Sequence, residues 1–228
     1  MGAFFTITAI APGSRDQVLQ GLSELESERG DRVSVFSCKS GAVLCMPCEI
    51  LHDSQGVSAW LSERLGLPVI ELHFLDDVVW GYALYKSGRE VDRYSSMPNY
   101  WEKLAPEELK RQAGDASVVA AVWPGVTVEE IAGYLTNKEV IPEADWESRA
   151  YLDDQFPVSD AWQLCDFMKK LGLDYPFDED GDQETKPIMS IMIATPNGLV
   201  QKDDFEKKSE AIQEELRRYR EQQENQNG

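Results

Sequence analysis

The sequence predicts an α+β protein, with a strand-rich first half and a mainly helical remainder. Three observations carry that expectation. Short runs of branched and aromatic residues, several alternating with polar ones, recur through the first hundred positions. Two helix-period stretches, each with a start signal and a terminal glycine, interrupt them. Beyond Ser95 the texture becomes helical, with only one buried-looking strand, at Ile188–Ile193.

The elements follow in order. Phe4–Ala11 alternates apolar residues with Thr6 and Thr8, and Pro12-Gly13 ends it. Ser14 with Gln17 forms a capping-box start, Val18, Leu22 and Leu25 share one helical face, and Gly30 stops the helix. Arg32–Cys38 and Ala42–Met46 flank Lys39-Ser40-Gly41 and read as a hairpin. Asp53 or Ser54 opens a helix carrying Val57, Trp60, Leu61 and Leu65, ended by Gly66. Pro68–Leu75 is a fourth strand, and Val78–Tyr85 with Arg89–Tyr94 form a second hairpin around Lys86-Ser87-Gly88. The order β-α-β-β-α-β is that of a ferredoxin-like sheet, and the added hairpin extends it beyond the fourth strand.

After Ser95, Pro106 starts a short helix that Gly114 ends, and Asp115–Val122 is a second. Thr127 with Glu130 is another capping box, leading Val128, Ile131 and Leu135. Ser159–Leu171 is a helix, Asp174–Glu184 an acidic loop, and Asp203–Gln222 a long charged helix. The expected organisation is a sheet domain over 1–95, a helical acidic part with one added strand over 96–200, and a C-terminal charged helix and tail over 201–228.

Charge narrows the function. The chain has 228 residues, 41 Asp and Glu against 22 Lys and Arg, and a net charge of −19. Such a surface repels phosphate backbones and anionic headgroups, so neither nucleic acid nor membrane is an expected partner. The excess is local. Between Glu139 and Glu184, 14 acidic residues meet 3 basic ones, a net of −11. Aromatic residues, among them Trp146, Tyr151, Phe156 and Trp162, are interleaved there. Charge for steering and aromatics for anchoring suit a basic protein partner, with Glu143, Asp153, Asp154 and Asp160 as candidate contacts. A solvated acidic face is the plainer alternative. Four cysteines and a first segment lacking a basic n-region point to the cytoplasm.

No phosphate-binding glycine loop, His-Glu-x-x-His or Gly-x-Ser-x-Gly is present, and no cofactor is expected. Cys45-Met46-Pro47-Cys48 is a CxxC with Cys38 and His52 nearby, but the hairpin keeps Cys38 and Cys45 apart, so structural thiols are the expectation over a zinc or redox site. Asp178–Asp182 lacks the bidentate Glu of a calcium loop. Glu71 and His73 share one strand face with Thr6 and Thr8 opposite, a polar strip expected on the sheet side away from the two helices. A histidine beside a carboxylate could act as a base. Six aromatics fall between Trp80 and Trp101, and of these Trp80, Tyr82, Tyr100 and Trp101 are the candidate binding residues at the junction of the two halves, with packing that cements the junction as the plainer alternative.

Leu61-Ser62-Glu63-Arg64-Leu65-Gly66-Leu67-Pro68-Val69, Tyr82-Ala83-Leu84-Tyr85 and Gly88–Tyr94 resemble a bacterial family in which an "LSxxLGxPV" step precedes a "YxLYxxGxxVDxY" hairpin. The resemblance implies a shared domain of bacterial, cytoplasmic origin. It carries no catalytic residue and implies no activity.

The resulting expectation is a non-enzymatic binding or regulatory protein, with immunity-like recognition of a basic partner by charge analogy. The alternatives are a small-molecule sensor or enzyme built on Glu71, His73 and the aromatic junction, and a structural subunit associating through the C-terminal helix.

Overall fold

A computed structural model describes residues 4–29, 33–47, 54–176, 191–195 and 198–201. Cys48, His52, Asp53, the acidic residues from Asp178 to Glu184, the first residues of the strand expected at Ile188 and the helix expected over Asp203–Gln222 lie outside the described residues.

The first eight elements are β1 (Phe4–Ile10), α1 (Arg15–Arg29), β2 (Val33–Ser37), β3 (Val43–Pro47), α2 (Ser54–Leu65), β4 (Val69–Leu75), β5 (Val79–Lys86) and β6 (Arg89–Ser95). The helices α3 (Pro106–Arg111), α4 (Ala116–Val122), α5 (Val128–Ile131) and α6 (Gln163–Lys170) follow, then strands β7 (Ile191–Thr195) and β8 (Gly198–Gln201). The protein is thus mixed α+β. Among the described residues an antiparallel sheet runs β6-β5-β4-β1-β3-β2-β7-β8. Two strands flank each side of the central four, so the order as a whole differs from a four-stranded ferredoxin sheet. The hairpin β5–β6 extends the sheet beyond β4, and β7 pairs with β2 through Val35 and Met192. Strand β8 was not foreseen in the sequence.

The sheet is the middle of three layers. On one face α1 supplies Val18, Leu22 and Leu25, and α2 supplies Val57, Leu61 and Leu65. They cover Ile10, Val35, Cys45, Val69 and Ala83. On the other face Ile7, Leu44, Ile70, Leu72, Phe74, Trp80 and Tyr82 pack with Val119, Trp123, Ile131, Tyr134, Leu164 and Phe167. Burial on both faces explains why every residue from Val79 to Tyr85 is buried, where a one-sided strand would alternate.

Local chemistry sets several boundaries. Asp115 caps α4, its carboxylate accepting from the Ser117 amide at 2.8 Å. The Glu130 carboxylate accepts from the amide and hydroxyl of Thr127, at 2.9 and 3.0 Å, closing the second capping box. Gln17 departs from its expected capping role, since its amide donates to the Leu65 carbonyl and so ties α1 to the end of α2. The helix expected from Ser159 begins only at Gln163, because Asp160 turns back to accept from the Trp162 amide at 2.8 Å.

Two expectations about faces need correcting or sharpening. Thr8 and Glu71 pair across β1 and β4, as do Thr6 and His73, so the polar strip exists. It lies toward α1 and α2, not away from them: the Thr8 hydroxyl bonds that of Ser58 on α2 at 3.0 Å. Cys38 and Cys45 fall in the core clusters on opposite faces of the sheet, so they cannot ligate one ion. Among the described residues no group of three or more His, Cys, Asp or Glu is placed to hold a metal. No helix among them is long and apolar enough to cross a membrane.

Candidate functional site

A cleft of about 340 Å³ opens where the ends of β4 and β6 and the start of β5 meet the 97–104 loop. Its strand side carries His73, Gly81, Arg93 and Ser95, and its loop side Met97, Pro98, Tyr100, Trp101 and Glu102. Leu75, Val79, Trp80, Tyr94, Leu104 and Gln112 also border it.

The loop is held at several points. At its start, the Ser96 hydroxyl accepts from the Trp80 amide at 3.1 Å, and the Ser96 amide donates to the Trp80 carbonyl at 2.9 Å. In its middle, Asn99 donates through its side chain to Glu139 at 2.7 Å and accepts from the Leu104 amide at 2.9 Å. The Tyr100 hydroxyl donates to Asp76 at 2.9 Å. Asp76 sits in the β4–β5 turn with a φ of +57°, a backbone region Asp tolerates better than most residues. These bonds tie Ser96, Asn99 and Tyr100 to the sheet, the β4–β5 turn and Glu139. The Tyr100 and Trp101 rings meet edge to face, with centroids 4.8 Å apart and planes at 74°. Trp101 remains 71 % exposed, unusual for so large an apolar side chain.

The floor admits only glycine at one point. A Cβ on Gly81 would collide with the Tyr94 carbonyl oxygen on the adjoining strand.

Charges in the cleft are largely matched. The Arg93 guanidinium forks onto the Glu90 carboxylate, with Nε 3.0 Å from Oε1, and this pairing holds its proton more firmly. Glu71 is fully buried, and its Oε1 lies 3.3 Å from His73 Nε2. Burial, then the Arg93 charge, pushes the His73 imidazole down to about 4, so it is neutral at pH 7. No Ser, Thr or Cys side chain among the described residues is hydrogen-bonded to His73. The arrangement therefore presents an oriented imidazole, with no nucleophile bonded to it among the described residues.

The sequence-predicted residues divide. Tyr100 and Trp101 line the cleft together with His73, whereas Trp80 borders it only along the strand, its fully buried ring packing on Phe167 with centroids 5.3 Å apart. Tyr82 does not: it is buried on the opposite face, stacked on Phe167 at 5.5 Å, with its hydroxyl donating to Asp92 at 2.6 Å. Glu143 is exposed. Asp153 is also exposed, and pairs with Lys170 at 2.8 Å. Asp160 is the half-buried cap of the Trp162 turn. Asp154 corrects the expectation of a uniformly open acidic surface. It is buried, accepting from the Tyr134 hydroxyl and, at 2.8 Å, from the Tyr151 amide. Asp166 is likewise buried and gathers the amides of Gln155 and Phe156 at 2.9 and 2.8 Å. Arg93, Glu102 and Gln112 were not singled out from the sequence. Arg93 stands at the unspecified position of the "VDxY" segment, so the motif gave no signal for it.

That segment has a structural explanation. Ser62 and Gly88 join α2 to the β5–β6 turn, Asp92 receives Tyr82, and the Tyr94 hydroxyl donates to the Thr136 carbonyl at 2.8 Å. Burial pushes the thiols of Cys45 and Cys165 up to about 12 and that of Cys38 to about 11, which leaves them unreactive at neutral pH.

Compared with protein-family models, with curated proteins and with solved structures, the chain matches none.

Proposed function

We propose that this protein binds a small organic molecule in the cleft between the sheet and the 97–104 loop, and acts as a binding or sensing protein. One observation carries the reading: a pinned aromatic wall, Tyr100 and Trp101, faces a strand end bearing His73 and Arg93 across about 340 Å³. Small-molecule sites combine an apolar wall with a few placed polar groups, and here Tyr100 and Trp101 stand with His73 and Arg93. A fragment screen by ligand-observed NMR, with Trp101→Ala as control, tests it. Fragments should bind the wild type and lose affinity at least about tenfold in the variant. A screen without hits, or hits indifferent to the variant, would sink the proposal.

A second reading, recognition of a basic protein, is favoured by a different surface. Trp146 is 47 % exposed and Leu152 fully so, in a segment where Glu143, Asp145, Glu147 and Asp153 also reach solvent. Pull-downs at low and high salt, with Trp146→Ala and Leu152→Ser, test it. Capture that ignores both salt and the variants counts against this surface.

For the framework, we read the central strands β4-β1-β3-β2 with α1 and α2 as a ferredoxin-like unit. Their antiparallel pairings and the placement of both helices on one face support this. The mixed core of sheet residues and residues 119–173 favours treating 1–95 and 96–200 as packed parts of one body.

A further inference from the structure

The charge balance around the cleft narrows the class of ligand, on the small-molecule reading above. Tyr100 and Trp101 form a corner of two rings at 74°, and Trp101 is largely uncovered. Ring faces carry negative quadrupole density and attract cations. Glu102 lines the same cleft, and its carboxylate makes no hydrogen bond or ion pair among the described residues. Asp76 adds a second carboxylate behind Tyr100. Of the cleft's basic groups, Arg93 is matched by Glu90, and His73 is uncharged at neutral pH. An anionic ligand would meet Glu102 and the field of a chain at −19. A neutral one would gain nothing from the Glu102 charge. We infer that the cleft takes a small organic cation, a tertiary or quaternary ammonium seated against Tyr100 and Trp101 and balanced by Glu102. The small cleft volume suits a free molecule of few heavy atoms.

Choline and its neutral isostere 3,3-dimethylbutan-1-ol separate charge from shape, with calorimetry and tryptophan fluorescence as readouts on the full chain. Choline should bind, with the isostere at least about tenfold weaker. Trp101→Ala and Glu102→Gln should each weaken choline by about fivefold or more, and added salt should weaken it in the wild type. Both substitutions are at exposed positions, so folding is not at stake. Equal binding of choline and the isostere would overturn the cationic assignment while leaving the small-molecule reading standing. Neutral fragments occupying the cleft where choline does not would overturn it in the same way. If no compound of any charge binds there, both fall together. A trimethyl-lysine peptide binding about a hundredfold tighter than choline would move the ammonium to a protein partner and overturn the free-molecule source.

Discussion

The Gly88 amide donates a 2.8 Å hydrogen bond to the Ser62 hydroxyl, which in turn donates to the Ala59 carbonyl at 3.0 Å. One side chain thus satisfies a turn amide and fastens α2 to the β5–β6 hairpin. Gly88 has a φ of +76°, and a Cβ there would lie 3.0 Å from Glu63 Cβ. Ser62→Ala should cost about 1–2 kcal/mol by leaving the turn amide unpaired. Gly88→Ala should cost at least about 1 kcal/mol through strain and crowding. Urea denaturation measures both, and a Ser62→Ala midpoint equal to wild type would show that the bond contributes nothing.

The acidic segment divides into supporting and solvated carboxylates. Asp154→Ala removes the acceptor for the Tyr134 hydroxyl and the Tyr151 amide inside the fold, and should cost about 2–4 kcal/mol. Asp153→Ala loses only an exposed pair with Lys170, less than about 1 kcal/mol. Glu143→Ala should fall within about 0.5 kcal/mol of wild type. Equilibrium unfolding of the three variants checks the ranking, and equal values would contradict it.

His73 links stability to acid. Its folded pKa of about 4 lies below the ordinary 6.5, so the unfolded chain binds the extra proton between those values. Stability therefore declines as pH falls from 6.5 toward 4, by up to about 3 kcal/mol from this residue. His73→Gln should have a shallower decline over that window, and NMR of the wild-type imidazole should show a midpoint near 4. A midpoint at the ordinary value would refute the burial argument.

Lys138 is a buried cation. Its ammonium donates to the Ser159 carbonyl at 3.1 Å, and burial lowers it to about 8 despite the nearby Asp160 charge. The folded pKa lies below the usual 10.5, so the cost is complete below pH 8 and is relieved as pH rises toward 10.5. Lys138→Met should stabilise the protein by about 1–3 kcal/mol at pH 7 and by little at pH 10.5. Denaturation at the two values tests this; stabilisation of the same size at both would assign it to packing.

Much of the fold was legible because the turn signals were strong. Lys39-Ser40-Gly41 and Lys86-Ser87-Gly88 located both hairpins, and the two-residue alternation correctly placed Glu71 and His73 with Thr6 and Thr8. Alternation cannot say which face meets which layer. That required knowing that Thr8 would reach Ser58, a contact across 50 residues. Of the aromatic run from Trp80 to Trp101, Trp80, Tyr82, Tyr85 and Tyr94 are buried in the core, and Tyr100 and Trp101 form the wall of the cleft. Arg93 and Glu102 went unnoticed because a charged residue on an edge strand or loop has the same signature whether it lines a cleft or meets water. Asp154 was hidden in the same way, standing beside exposed Asp153 in an acid-rich stretch. Asp166 carried more warning, since Cys165 and Phe167 enclose it in an apolar run.

The bridging of β6 bears on how copies of this chain behave when concentrated. The Gly114 amide donates to the Arg93 carbonyl and the Ser95 amide to the Gln112 carbonyl, at 2.9 and 3.0 Å, and Tyr94 bridges Ala113. The chain's own backbone thus occupies the terminal rung of the sheet on that side. Edge-to-edge templating, the usual route by which sheets recruit foreign strands and aggregate, is blocked along Arg93–Ser95.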